Sequence, residues 1–133
     1  MKTVLFACVH NAGRSQMAAA LFNRLVDPAK ARAVSAGTNP GPTVHPEVVA
    51  VMNELGIDLS AATTTQLTPE LAGTANILVT MGCGDECPYV PGAIRDDWPL
   101  QDPKGRSIET VRSIRDDIRH RVESLIAREA WSA

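Results

Sequence analysis

The sequence has no long apolar segment, no large excess of charge of one sign and only three cysteines. A membrane-spanning helix needs about 18 or more consecutive apolar residues, and no run approaches that length. The net charge of −2 gives no electrostatic reason to bind nucleic acid or an anionic membrane surface. The first residues do not form a secretory leader pattern, so we expect a soluble, cytoplasmic protein.

An odd number of cysteines cannot form a fully paired disulfide framework, and a reducing compartment disfavours one. Cys8, Cys83 and Cys87 are therefore candidates for catalysis, redox chemistry or metal binding. A structural zinc site needs four tetrahedral ligands, and no second cysteine or histidine pair has a suitable spacing. We expect neither a bound metal nor a bound cofactor.

The length of 133 residues is typical of one domain, which we expect to span residues 1–133 as a monomer. Apolar runs that are typical of buried strands alternate with segments of helical periodicity. This alternation predicts right-handed crossovers and a mainly parallel sheet with helices on both faces. The predicted fold class is therefore α/β, a three-layer domain with about four strands.

The predicted strands cover residues 3–7, 33–36 and 76–81, with a weaker candidate at 93–95. The predicted helices cover residues 14–26, about ten residues between Pro46 and Gly56, a short segment capped by Thr68, and a long C-terminal segment capped by Ser107. In the second of these helices, Val48, Val49, Met52 and Leu55 form the expected apolar face. On the last helix, Arg112/Asp116 and Asp117/Arg121 lie four residues apart, which indicates a solvated surface rather than a basic binding patch.

The most informative segment is Cys8-Val9-His10-Asn11-Ala12-Gly13-Arg14-Ser15, between the first predicted strand and helix. A loop in this position points backbone N–H groups inward at the positive end of a helix dipole, which makes a cradle for an anion. The helix N-terminus and the nearby arginine favour the thiolate form of Cys8. The guanidinium of Arg14 matches two oxygens of a tetrahedral oxyanion. The segment therefore predicts nucleophilic chemistry on a phosphate-like group.

The residues of this loop have different expected roles. Val9, His10, Asn11, Ala12 and Gly13 supply the backbone of the cradle, and the last three tolerate tight turns. Ser15 is placed to donate a hydrogen bond to the Cys8 thiolate. The His10 side chain is more typical of a solvent-facing loop histidine, so we give it no part in the mechanism. In the alternative interpretation, Cys8 is simply a buried structural cysteine.

A second chemical segment, residues 81–88, contains Cys83 and Cys87. Because ligands bind at the carboxyl ends of parallel strands, this segment and the Cys8 loop should reach the same sheet edge. Glycines flank Cys83 and suit a segment that moves a thiol, which favours a thiol relay over a zinc site or a packing role. Asp102, which precedes Pro103, is either a general acid that faces the cradle or a simple turn residue.

Together these residues resemble the low-molecular-weight protein tyrosine phosphatase fold, and within it the thiol-linked arsenate reductases. The resemblance covers nearly the whole chain. It rests on residues 8–18, residues 35–38, Val79-Thr80-Met81 with the segment of Cys83 and Cys87 that follows, and Trp98 before Asp102-Pro103. Gln16-Met17-Ala18 is the form associated with the reductases, whereas phosphatases tend to have proline at the position of Gln16. The resemblance implies that Cys8 is the nucleophile, Arg14 the oxyanion clamp, Ser15 the thiolate stabiliser, Asn11 the loop-shaping residue and Asp102 the acid.

The implied activity is reduction of arsenate to arsenite, which serves arsenic detoxification. Cys8 would form an arsenate adduct, Cys83 would attack its sulfur, and Cys87 would carry the disulfide outward to a thioredoxin-like reductant. Cys83 and Cys87 are closer together than in the thioredoxin-coupled branch. Ala19 stands where that branch often has a glutamate at a potassium site, which argues against potassium stimulation.

Three alternatives stay open at this point. Cys8 alone could pass arsenic to a low-molecular-weight thiol of the mycothiol or glutathione type. The protein could be a low-molecular-weight phosphatase, although a single tyrosine argues against a large aromatic substrate; weak phosphatase activity is expected from the cradle in any case. It could also be a non-catalytic oxyanion or redox sensor.

Overall fold

The computed structural model describes residues 1–82 and 91–133. Its strands are β1 (Lys2–Cys8), β2 (Ala31–Gly37), β3 (Ile77–Thr80) and β4 (Ile94–Asp97). They form one sheet in the order β2-β1-β3-β4, and every pairing is parallel. The helices are α1 (Arg14–Leu25), α2 (Pro46–Asn53), α3 (Pro69–Ala72) and α4 (Ile108–Arg128). The predicted α/β fold with about four parallel strands is confirmed.

The strand boundaries differ from the sequence-based prediction by one or two residues, and two of these differences have a clear physical reason. β2 begins at Ala31 rather than at residue 33, because Lys2 and Thr3 of β1 pair with Ala31 and Arg32. Here strand pairing outweighs the weak strand propensity of alanine. β3 begins after Asn76, because the Asn76 side chain accepts a hydrogen bond from the Thr3 N–H at 2.8 Å and so ends the regular ladder.

The two faces of the sheet are covered unequally. Alternate residues of β1 point to opposite faces, so Val4 and Phe6 pack on one side and Leu5 and Ala7 on the other. The first side carries the larger core, to which α1, α2 and α4 all contribute, while the second is covered by the short α3. Within the part of the chain that is described, no helix is long and apolar enough to cross a membrane.

The larger core holds α1 in place. This helix begins directly after the loop of residues 8–13, which we call the cysteine loop. Met17 and Phe22 are completely buried, and the Phe22 ring packs edge-on against Phe6 of β1 with ring centroids 6.0 Å apart. Burial of each such side chain contributes about 1.5–3 kcal/mol. The first turn of α1 therefore has one fixed position relative to the end of β1, which the chemistry of the loop requires.

The predicted apolar face of the second helix is confirmed, except that it omitted Val51. Val48 and Met52 are buried as predicted, but the third buried residue is Val51, while Val49 and Leu55 are only partly buried. The reason is that α2 packs against α4 as well as the core, which shifts the buried stripe. Leu55 also lies beyond the end of the helix at Asn53.

Hydrogen bonds between charged residues also join the end of α2 to α4. Glu54 accepts hydrogen bonds from Arg112 at 2.7 and 3.0 Å and from Arg115 at 2.6 Å. Arg115 is almost fully buried and also donates to the Val51 carbonyl at 2.8 Å. The ion pair of Arg112 is thus with Glu54 across the helices, not with Asp116 along α4. The pair of Asp117 and Arg121 forms as the spacing indicated, at 3.0 Å.

We predict that this cluster makes stability depend on acid pH. Hydrogen bonds from Arg112 and Arg115 lower the pKa of Glu54 from 4.5 to about 2. A carboxyl group with a lowered folded-state pKa stabilises the fold above its unfolded pKa, and this contribution disappears as the pH falls from about 4.5 to about 2. Denaturant unfolding of Glu54→Gln should show a lower free energy of unfolding at neutral pH and a smaller further loss in acid. Glu47→Gln, in the first turn of α2, is the control; equal acid sensitivity of Glu54→Gln and wild type would contradict the prediction.

Candidate active site

The backbone carbonyls of the cysteine loop face outward. Those of Cys8, Val9, His10 and Ala12 accept hydrogen bonds of 2.8–3.1 Å from backbone N–H groups of residues 38–45. In a planar trans peptide the N–H points opposite to the carbonyl. The N–H groups of the following residues, Val9, His10, Asn11 and Gly13, are therefore turned toward the centre of the loop. Residues 38–45 thus hold the cradle open.

The sulfur of Cys8 lies inside this cradle and is almost fully buried. The backbone N–H of Asn11 donates to it at 3.3 Å, and the Ser15 hydroxyl lies 2.9 Å away. The direction of the second hydrogen bond follows from Asn11. The Thr65 N–H can only donate, so the Asn11 side-chain atom that lies 2.9 Å from it is the oxygen Oδ1. The other side-chain atom is therefore Nδ2, which donates to Ser15 Oγ at 2.7 Å.

The only proton of the Ser15 hydroxyl is therefore available for the sulfur of Cys8. Two donors, this hydroxyl and the Asn11 N–H, thus converge on one sulfur. Hydrogen bonds to the charged form of a group favour that form. The geometry suits a sulfur that accepts hydrogen bonds as a thiolate, which is the nucleophilic form.

Hydrogen bonds of Asn11 and Gln16 stabilise the conformation of the loop. Asn11 is fully buried in the left-handed region of the backbone, with φ of 51°, which asparagine tolerates better than most residues. Nε2 of Gln16 donates to the Asn11 carbonyl, to Asn11 Oδ1 and to the Thr63 carbonyl at 3.0–3.2 Å. Sequence reasoning used Gln16 only as a family feature and missed this role. A signal was present, since a polar residue among the apolar positions of a helix usually has buried partners.

The guanidinium of Arg14 is held above the loop by three neighbours. Nη1 donates to the Leu100 carbonyl at 3.1 Å, and Nη2 lies 3.9 Å from Oδ2 of Asp102. Gly82, with φ of 94°, lies so close that a Cβ atom there would be 2.4 Å from Nη1. Gly82, which follows β3, therefore lies at the same sheet edge as the Cys8 loop. Cys83 and Cys87, which follow Gly82, lie outside the described residues.

Asp102 forms a turn and also faces Arg14. Its Oδ1 accepts a hydrogen bond from the Lys104 N–H at 3.0 Å, as in a simple turn, while Oδ2 faces Arg14. The Asp102 side chain is 45% exposed at the mouth of the cradle. Its use as an acid stays a prediction.

The His10 ring is more constrained than a solvent-facing loop histidine. The ring is half-buried, and its Nδ1 lies 3.0 Å from the Asn39 carbonyl. Because a carbonyl only accepts, Nδ1 carries the hydrogen of this contact.

Within the described ranges 1–82 and 91–133, no three His, Cys, Asp or Glu side chains are grouped to hold a metal ion.

Comparison with known proteins agrees with this geometry. The glutaredoxin arsenate reductase of Synechocystis sp. is 37% identical over 131 residues, 96% of this chain and 98% of that protein. A thioredoxin-dependent arsenate reductase structure from Corynebacterium glutamicum is 36% identical with a TM-score of 0.83; the match covers 96% of this chain and 61% of that longer one. An arginine phosphatase structure from Geobacillus stearothermophilus is 26% identical with a TM-score of 0.80, over 98% and 94% of the two chains. The family model described as low molecular weight phosphotyrosine protein phosphatase matches residues 3–130, so the chain belongs to that family.

Proposed function

We propose that this protein is an arsenate reductase that converts arsenate to arsenite through a thiolate adduct on Cys8. The observation that carries the proposal is the convergence of two donors on the Cys8 sulfur, beneath a guanidinium that is itself held in place. The names of the Synechocystis and Corynebacterium relatives support arsenate as the substrate. Arsenate and phosphate are both tetrahedral oxyanions, so the cradle accepts either, and the fate of the adduct decides the reaction.

In the first step, arsenate oxygens bind the inward N–H groups of the loop and the Arg14 fork. The Cys8 thiolate attacks arsenic, so that a sulfur–arsenic bond forms and an arsenic–oxygen bond breaks. The leaving oxygen takes up protons and departs as water, and we assign to Asp102 the supply of one of them. Arg14 offsets the negative charge that grows on the oxygens during the attack.

In the second step, a thiolate of Cys83 attacks the sulfur of the adduct. A disulfide forms between Cys8 and Cys83, and the sulfur–arsenic bond breaks with its electron pair on arsenic, which leaves as arsenite. Arsenic gains two electrons, and the two sulfurs each lose one. Cys87 then attacks Cys83 and frees Cys8, and a thioredoxin-like dithiol outside the chain reduces the Cys83–Cys87 disulfide.

With thioredoxin as the only reductant, the relay predicts different outcomes for the replacement of Cys83 and of Cys87. Cys87→Ser should release one arsenite per enzyme and stop with a Cys8–Cys83 disulfide that peptide mapping detects. Cys83→Ser should form the Cys8–arsenate adduct but release no arsenite, and Cys8→Ser should form no adduct and release no arsenite. The measurement is arsenite production in single and multiple turnover. Steady turnover of Cys83→Ser at the wild-type rate would refute the relay.

A side activity as a phosphatase is favoured by the position of Asp102 opposite Arg14, because a phosphate ester needs an acid for its leaving group. We expect slow hydrolysis of an activated aryl phosphate that Cys8→Ser abolishes. Hydrolysis faster than arsenate reduction would make phosphatase the main function.

A further inference from the structure

One peptide group of the cysteine loop is held differently from its neighbours. The carbonyls that accept hydrogen bonds from the backbone of residues 38–45 are those of Cys8, Val9, His10 and Ala12. The Asn11 carbonyl is bound by a side chain instead, since Nε2 of Gln16 donates to it at 3.1 Å. The orientation of the peptide group between Asn11 and Ala12 therefore depends on Gln16.

The Gln16 amide has a single orientation that fits its surroundings. Its Nε2 also lies 3.0 Å from the Thr63 carbonyl and 3.2 Å from Oδ1 of Asn11. All of these neighbours are oxygens that only accept, so the side-chain atom that faces them is the nitrogen. Gln16 is almost fully buried, so these oxygens rather than water determine where its amide points.

The backbone of Asn11 determines which way its carbonyl points. With φ of 51°, Asn11 has the left-handed helical conformation, in which the N–H and the carbonyl of one residue point in roughly opposite directions. The Asn11 N–H points at the Cys8 sulfur, 3.3 Å away, so the carbonyl points away from that sulfur and toward Gln16. In a planar trans peptide the next N–H, that of Ala12, points opposite to this carbonyl and thus into the cradle.

We propose that Gln16 is a positioning residue for the oxyanion, because its amide holds the Ala12 N–H among the donors of the cradle. The inference rests on the proposed arsenate reduction and names the side chain that completes its oxyanion site. A peptide group can turn by rotation about the two single bonds that flank it. Without the Gln16 amide, the Asn11 carbonyl is free to turn inward, where its oxygen repels an anion.

The first test compares Gln16→Met with wild type, because methionine has a similar length but no hydrogen-bond donor. With inorganic phosphate as the probe, we expect the Kd to rise about tenfold, the effect of losing one hydrogen bond to a charged group. Alkylation of Cys8 by iodoacetamide, a neutral reagent, should keep its wild-type rate. The reason is that the Asn11 N–H and the Ser15 hydroxyl still reach the sulfur, and the Thr65 N–H still orients the Asn11 side chain.

The matched control is Asn23→Leu. The Asn23 amide also belongs to α1 and binds the backbone of another segment, since it donates to the Ala33 carbonyl at 3.0 Å and accepts from the Ala33 N–H at 2.9 Å. Both variants lose side-chain hydrogen bonds to the backbone, so denaturant unfolding should show a lower free energy of unfolding for each. Only Gln16→Met should lose affinity for phosphate.

A second test needs no substitution. In proton–nitrogen correlation spectra of wild type, saturation with phosphate should move the amide proton of Ala12 downfield, because a hydrogen bond to an anion deshields the proton. The amide protons of Val9 and Gly13 are the internal reference, since backbone hydrogen bonds to the preceding carbonyls turn both of them into the cradle.

Three results would overturn the inference. The first is a phosphate Kd of Gln16→Met equal to that of wild type. The second is slower alkylation of Cys8 in Gln16→Met, since Gln16 would then act through the thiolate. The third is an Ala12 amide proton that phosphate leaves unmoved while it shifts those of Val9 and Gly13. Failure of the proposed function has a different signature, because wild type would then bind phosphate with the Ala12 shift but release no arsenite with any reductant.

Discussion

Replacement of Arg14 by lysine should lower kcat/KM for arsenate by about a hundred- to a thousandfold. Lysine keeps the positive charge but has no planar fork, so it cannot bind two arsenate oxygens while also donating to the Leu100 carbonyl. We expect this loss of kcat/KM to arise in the attack on arsenic, because negative charge builds up on the oxygens in that step. Steady-state kinetics with saturating reductant measures it.

The matched control for this variant is Arg24→Lys. The guanidinium of Arg24 also donates to a backbone carbonyl, that of Gly56 at 2.9 Å, but Arg24 lies at the other end of α1. Both variants should unfold at nearly the same denaturant concentration as wild type, and only Arg14→Lys should lose activity. If Arg14→Lys retained more than about a tenth of the wild-type kcat/KM, a simple positive charge would suffice and the clamp assigned to Arg14 would be wrong.

Replacement of Asn11 by alanine should reduce the free energy of unfolding by about 3 kcal/mol or more. The change leaves the Thr65 N–H and the buried Gln16 amide without the Oδ1 acceptor, and the buried Ser15 without the Nδ2 donor. It also places a residue with a Cβ at φ of 51° without the local hydrogen bonds that help asparagine there. Denaturant unfolding measures the loss.

The contribution of backbone strain can be separated with Asn11→Gly. Glycine loses the same side-chain hydrogen bonds but adopts positive φ freely, so it should be more stable than Asn11→Ala by about 1 kcal/mol. Both variants should lose arsenate reduction, since neither directs the Ser15 proton to Cys8. Alkylation of Cys8 by iodoacetamide, which needs the thiolate, should slow in both. Unchanged alkylation would show that Asn11 does not control the charge of Cys8.

Much of the fold and part of the site could be predicted from the sequence. The strand–loop–helix unit of β1, the cysteine loop and α1 follows from local patterns, because strand and helix periodicities and turn residues act over a few positions. The same locality places Cys8, Arg14 and Ser15 within one short segment. Errors appear where elements meet. The buried stripe of α2 includes Val51 because α2 contacts α4, and Arg112 pairs with Glu54 rather than with Asp116.

The sequence by itself determined that this chain forms a parallel α/β sheet and carries a cysteine and an arginine at the start of a helix. The tertiary structure decided how the groups of that loop are held. Residues 38–45 turn its N–H groups inward, the Thr65 N–H orients Asn11 and thereby Ser15, and Gly82 and Leu100 position Arg14. These contacts join residues that are distant along the chain, so no local pattern encodes them; they exist only once packing brings the segments together.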